Sequence, residues 1–176
     1  MKIDKLNQIS TKKGDKGTSK NYNNESFKKS DILFETLGTL DELNSYLGLT
    51  YHHSKLEQII KIQKTIQNLN SIIATNPNAD FYNKLYQIND QDVDFLEGEI
   101  QKLLNIKPLE PRFTLPGSEK SLEGAYFDFA RTLARKAERR VIEFAEKHQR
   151  KDLVQVKKYI NRLSDYLYVL SCNFSR

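Results

Sequence analysis

Leu153-Val154-Gln155-Val156-Lys157-Lys158-Tyr159-Ile160-Asn161-Arg162-Leu163-Ser164-Asp165-Tyr166-Leu167-Tyr168-Val169-Leu170 repeats apolar side chains at intervals of three and four. Leu153, Val156, Ile160, Leu163, Leu167 and Leu170 therefore form one seam of an α-helix, while Asn161 and Asp165 share the opposite face. Such a seam must be buried against other helices, and the sequence supplies them. Leu33, Leu37, Leu40, Leu43 and Leu47 keep the same spacing, as do Leu56, Ile59, Ile66 and Ile73. The spacing predicts helices over residues 31–51, 56–74, 91–105, 121–149 and 153–174, with Ser30 or Asp31 capping the first. Asn76-Pro77-Asn78 ends the second helix, Pro108, Pro111 and Pro116 hold an irregular stretch before the fourth, and residues 79–90 fit no pattern. With no strand pattern, the expected fold is an all-α five-helix bundle. Residues 1–30, polar and without an apolar face, read as an extended N-terminal arm on a bundle over 31–176.

At 176 residues the chain is long enough for one domain with a substantial core. The single cysteine, Cys172, excludes an internal disulfide framework and fits a reducing compartment. No apolar run approaches a membrane span and the first residues contain no signal-like apolar stretch, so the expectation is a soluble cytoplasmic protein. The net charge of +5 comes from interspersed acids and bases. Aromatic residues follow helical patterns instead of forming a stacking platform, which argues against nucleic acid as the partner. A generic basic module for nucleic acid would bind with steep salt dependence and no nucleotide requirement.

Three further segments carry candidate chemistry. On the predicted fourth helix Arg131, Arg135 and Glu138 form one stripe, opposite Phe129, Leu133, Ala137 and Phe144. Two guanidinium groups one turn apart with a carboxylate beside them can receive a polyphosphate or another subunit's carboxylate; a solvated face of ordinary ion pairs has the same spacing. Thr11-Lys12-Lys13-Gly14-Asp15-Lys16-Gly17-Thr18-Ser19 can bring backbone N–H groups, lysines and hydroxyls against phosphate oxygens or a magnesium ion, though it is not a Walker motif and a plain surface turn would look alike. Gly38-Thr39-Leu40-Asp41-Glu42-Leu43 places a glycine inside a helix, which suggests close approach of a backbone or ligand, and makes Asp41 a candidate partner for one arginine.

Taken in order, Thr11 to Gly17, Gly38 to Leu43, Phe113 to Gly117, Ala130 to Arg139 and Asn161 to Asp165 resemble the motifs of the PduO-type ATP:cob(I)alamin adenosyltransferases. The resemblance spans nearly the whole chain. It implies a bundle assembled as a homotrimer, with ATP held between the N-terminal loop of one subunit and the arginine helix of its neighbour. Thr11, Lys12, Gly14, Asp15, Lys16, Gly17, Ser19 and Lys29 would wrap the triphosphate. Arg131, Arg135, Glu138 and Asn161 would complete the nucleotide site, Asp41 would pair with Arg131 across the interface, and Phe113 would crowd the lower face of the corrin ring.

The implied reaction is attack of Co(I) on C5′ of ATP, giving an adenosylated corrinoid and triphosphate, with Mg2+ beside the leaving group. It requires no general base, so His52, His53 and His148 are expected to be surface residues. A reductase, such as a flavoprotein, would supply Co(I), and an adenosylcobalamin-dependent enzyme would take the product. A catalytically weak relative that carries corrinoid in response to ATP would retain the same motifs. The chain departs from the family pattern at Lys136, where arginine is usual, at Asn23 and Asn24, where a glycine is often found, and at Asp128, where histidine is frequent. It also has two extra residues between Gly117 and Arg131 and ends soon after the Asn161 motif.

Overall fold

The computed structural model describes residues 3–10, 12 and 14–174. Thr11, one of the expected phosphate-loop residues, lies outside the described residues. Five long helices form the bundle: α2 (Ile32–Ser54), α3 (Glu57–Ile73), α4 (Asp90–Ile106), α5 (Leu122–Lys147) and α6 (Val154–Asn173), after a single helical turn α1 (Leu6–Ile9). Local chemistry sets their starts. Asp31 caps α2 by accepting from the Leu33 N–H at 2.9 Å, Asn89 and Asp92 form a capping box on α4, and Ser121 accepts from the Gly124 N–H at 3.1 Å. The unassigned 79–90 segment contains one 3-10 turn, Tyr82–Lys84, whose Tyr82 enters the core.

The helices close into a ring. α2 runs antiparallel to α5, fixed by Thr36 Oγ1 donating to the Arg140 carbonyl at 3.2 Å, Lys136–Glu42 at 2.7 Å and the Tyr46 and Phe129 rings at 4.8 Å. α5 runs antiparallel to α6, and α6 is tied to α4 by Arg162–Glu97 at 2.9 Å. Gln58 donates to Glu99 at 3.1 Å and Lys61 lies 3.5 Å over the Phe95 ring, joining α3 to α4. The expected seam residues Leu40, Leu43, Leu47, Ile59, Ile66, Leu163 and Leu167 are fully buried. On α5 the buried face is centred on Phe127, Ala130, Ala134, Ala137 and Val141. Phe129, expected to face inward with Leu133 and Ala137, is 52% exposed, because it lies roughly 120° around the helix from the face centred on Ala130 and Ala134.

Residues 18–28 depart from an extended arm. Strands β1 (Thr18–Lys20) and β2 (Ser26–Lys28) form an antiparallel hairpin with Ser19 opposite Phe27. Asn21 closes the turn by accepting from the N–H groups of Asn23 and Glu25, and Asn24 takes φ +63°, the left-handed conformation in which glycine or asparagine serves. The hairpin is docked: Phe27 meets Phe34 edge-on at 6.5 Å, Tyr22 meets Phe81 at 5.8 Å, and the Tyr22 N–H donates to the Ala74 carbonyl at 3.0 Å. Two aromatic side chains thus give the segment the apolar contact its overall composition conceals.

Candidate functional site

The antiparallel contact of α5 with α6 brings two polar stripes side by side. Asn161 Nδ2 donates to Glu138 Oε1 at 2.7 Å at one end. Further along, Arg131 and Asp128 of α5 meet Tyr168 of α6 in a cavity of about 600 Å³. Pro111, Arg112, Phe113 and Thr114 form its other wall. Asn161, Asp165, Tyr168 and Cys172 recur at helical spacing on one face of α6, so Tyr168 could have been found from the sequence by continuing the Asn161 stripe.

Arg131 is held by its own helix. Its Nε donates to Asp128 Oδ1 at 2.8 Å, and Asp128 is 7% exposed. The Asp41–Arg131 pair, expected between subunits, has no counterpart within the chain: Asp41 is exposed on α2 and makes no ion pair with a described residue. Arg135 projects into solvent one turn beyond, with its backbone carbonyl accepting from Arg139. Lys136 turns away to Glu42, so the lysine that replaces the usual arginine is used to join α5 to α2.

Phe113 is fully exposed. It is displayed by a loop whose ends are drawn together by Arg112, which pairs with Glu119 at 2.7 Å and Glu110 at 3.2 Å. Glu119 also accepts from the Leu115 N–H at 3.2 Å. The Arg112 hydrogen bond, then the Leu115 N–H, hold the Glu119 carboxyl below the usual carboxylate range. Gly117, at φ +75°, makes the turn that returns the chain to α5.

The N-terminal loop lies at the other end of the bundle. The Lys29 N–H donates to the Gly17 carbonyl at 2.8 Å, and Gly17 adopts φ +76°. A Cβ at Gly14 would sit 2.8 Å from Lys29 Nζ, so the Lys29 ammonium lies directly over the Gly14 backbone. Lys12, Asp15 and Lys16 are exposed around this turn, and Ser19 is half-buried at the start of the hairpin. The Asp15 carboxylate makes no ion pair with a described residue. The structure therefore brings Gly14, Gly17 and Lys29 together, and separately Glu138 with Asn161 and Arg131 with the Phe113 loop.

Gly38 does not admit another backbone within the chain. Beyond its own helix, no described residue lies within 4 Å of where its Cβ would be; it opens onto a groove of about 520 Å³ with Tyr22, Phe34, Asp41 and Ser71. His52 and His53 are exposed, as expected, with His53 stacked on Tyr126 at 4.2 Å. His148 differs from expectation: it is half-buried, with its ring 4.8 Å from Phe144 and Nε2 3.6 Å from Asp31, because α5 ends beneath the hairpin. Among the described residues no group of three or more His, Cys, Asp or Glu side chains is gathered as for a metal ion, and no helix is long and apolar enough to cross a membrane.

A five-helix bundle with an arginine-bearing groove between α5 and α6, and a glycine–lysine turn at its other end, defines a helical protein built to hold an anionic ligand. The chain belongs to the cobalamin adenosyltransferase family, whose model matches residues 9–174. It is 34% identical over 178 residues to corrinoid adenosyltransferase MMAB of Bos taurus, covering 97% of this chain and 72% of that protein. To corrinoid adenosyltransferase of Bacillus subtilis it is 30% identical, covering 92% of this chain and 83% of the relative. Among solved structures, a variant PduO-type ATP:corrinoid adenosyltransferase from Lactobacillus reuteri complexed with cobalamin and ATP superposes with a TM-score of 0.82 at 27% identity. That match covers 94% of this chain and 92% of that one.

Proposed function

We propose that the protein is an ATP:corrinoid adenosyltransferase whose active site is completed by assembly. It transfers the 5′-deoxyadenosyl group of ATP to cob(I)alamin or a related Co(I) corrinoid. The cobalt electron pair forms a bond to C5′, the C5′–O bond breaks, and triphosphate leaves. The observation that carries this reading is the joining of Arg131, already oriented by Asp128, to the cavity under the Phe113 loop. The other support is the similarity to solved structures of such enzymes complexed with cobalamin and ATP.

Within one chain the two halves cannot meet. The Gly14–Lys29 turn is anchored where α2 begins and α5 ends, near Phe144, whereas Arg131 lies 13 residues back along α5. At 1.5 Å per residue that is about 20 Å. A second copy must bring its loop to the arginine groove, and the homotrimer does this if Asp41 of one subunit reaches Arg131 of the next. Thr11, Lys12, Gly14, Lys16, Gly17, Ser19 and Lys29 then wrap the triphosphate. Arg131 and Arg135 stabilise the charge that develops on it. Glu138 and Asn161, bonded to each other, fix the nucleotide end of the groove. Phe113, exposed and mounted on a pinned loop, covers the lower face of the corrin and keeps ligands off cobalt.

Magnesium would be held with the triphosphate at the loop, where the Asp15 carboxylate makes no ion pair with a described residue and the Thr18 and Ser19 hydroxyls follow in sequence; when bound it would supply further charge neutralisation. The protein is read as one cytoplasmic domain, arm and bundle together, served by a flavoprotein or other reductase and followed by an adenosylcobalamin-dependent enzyme. An anaerobic assay with the protein, MgATP and chemically reduced cobalamin tests the reading. Loss of the Co(I) spectrum with stoichiometric triphosphate is expected; ATP binding without turnover would assign the protein to corrinoid carriage instead.

A further inference from the structure

Lys120 lies just before α5, outside every motif, yet it is only 5% exposed. Its ammonium donates to Ser171 Oγ at 2.8 Å, lies 3.7 Å from Cys172 Sγ, and stands 5.9 Å from the centre of the Tyr168 ring. No carboxylate of a described residue lies within ion-pair distance of it. Glu119, its neighbour in sequence, is committed to Arg112 and the Leu115 N–H. The carbonyl end of α6 steadies the charge but gives it no formal counter-ion. A buried cation left in this state favours any anion that can enter.

An entry exists. Lys120 lines a cavity of about 260 Å³ with Lys107, Arg112, Glu119, Tyr168 and Cys172. That cavity shares Glu110, Arg112, Thr114 and Tyr168 with the 600 Å³ cavity below the Phe113 loop. A ligand in the larger space can therefore extend an arm into the smaller. The corrin ring carries neutral amide arms, and its nucleotide loop adds one phosphodiester anion.

We propose that the cavity around Lys120 is an anion subsite for the phosphodiester of a corrinoid's nucleotide loop, so that this chain selects complete cobalamin over corrinoids lacking the loop. This rests on the corrinoid reading of the larger cavity. Calorimetric titration of the full chain with MgATP present, using hydroxocobalamin and the corresponding cobinamide, tests it without turnover. Wild type should bind cobalamin about tenfold more tightly, and K120M should reduce that preference to near unity while K120R retains it. Equal affinities in wild type, a measurement that needs no variant, would overturn the inference. So would a K120M protein with lower Tm and an unchanged preference, which is what a cation serving only the end of α6 predicts. If the wild type binds neither corrinoid, the parent reading fails and this one with it. A free anion is separated by inorganic phosphate: a Tm rise that K120M abolishes, beside equal corrinoid affinities, would assign the cavity to that anion and overturn the corrinoid form.

Discussion

The Nε of Arg131 donates to the carboxylate of Asp128 at 2.8 Å, one helical turn away on α5, and both side chains line the cavity beneath the Phe113 loop. Arg131 thus has a partner within its own chain. Its terminal guanidinium nitrogens make no hydrogen bond with a described residue and remain for a ligand or a second subunit.

Asp128→Ala should lower kcat/KM for ATP about tenfold, since a hydrogen bond to a charged group contributes about 1.5–3 kcal/mol and orients the fork here. Asp128→Asn, which preserves an acceptor oxygen, should recover part of it. Steady-state kinetics with preformed Co(I), paired with thermal melts, checks this: a pair serving only the fold would lower Tm and leave kcat/KM unchanged.

Arg135 and Phe113 should fail differently. Arg135→Ala removes an exposed guanidinium one turn beyond Arg131 and should impair ATP use, whereas Phe113→Ala should leave ATP affinity nearly intact. The Phe113 defect should be large when Co(II) must be reduced by a mild reductant and small when Co(I) is supplied ready-made. Equal loss of ATP affinity in both variants would remove the distinct role of Phe113.

Assembly is measurable directly. Multi-angle light scattering should give a trimer at micromolar concentration, and Asp41→Asn should weaken turnover with little effect on the fold of the subunit, because Asp41 is exposed and makes no ion pair with a described residue. A monomeric active enzyme would contradict the shared site.

The hairpin should be ordered without nucleotide. Slow hydrogen exchange at the Tyr22 and Lys29 amides, which donate to Ala74 and Gly17, is expected both with and without MgATP. Phe27→Ala should cost about 1–2 kcal/mol, less than a fully buried phenylalanine, because Phe27 is only partly covered. Exchange that is fast until MgATP is added would instead support an arm that docks with its ligand.

At the hairpin end, Arg150 is buried and bonds Asp152, the Ile72 and Ile73 carbonyls and Tyr82. Tyr82 in turn donates to Asp152. Burial, then the Asp152 bond, pushes the Tyr82 hydroxyl up to about 12. A raised phenol contributes stability that is complete below its unfolded value, about 10, and is lost as pH rises toward its folded value. Burial tends to raise the Asp152 carboxyl, but hydrogen bonds from Arg150 and Tyr82 prevail and hold it low, so its contribution is present above about pH 4 and fades below. Urea midpoints should fall on both sides, and Tyr82→Phe should flatten the alkaline limb. Asp152→Asn should cost about 3 kcal/mol by leaving the Arg150 guanidinium without its counter-charge.

The five helices were legible because their seams repeat at three and four over long spans, and the ends of α2, α4 and α5 carry side chains that cap them. The order of motifs from Thr11 to Asp165 was equally legible as a family pattern, without geometry. The hairpin was not, because its docking rests on Tyr22 and Phe27 in an otherwise polar segment, and strands of three residues leave no readable period. Tertiary structure alone decided that Arg131 and Asp128 meet Tyr168 and the Phe113 loop, that Lys136 is taken by Glu42, and that Lys120 is buried beside Ser171. A sequence states spacing along one helix, and so it can align Arg131 with Arg135. Which side chain on another element or loop meets them depends on how helices pair, and that follows from burying all the seams at once.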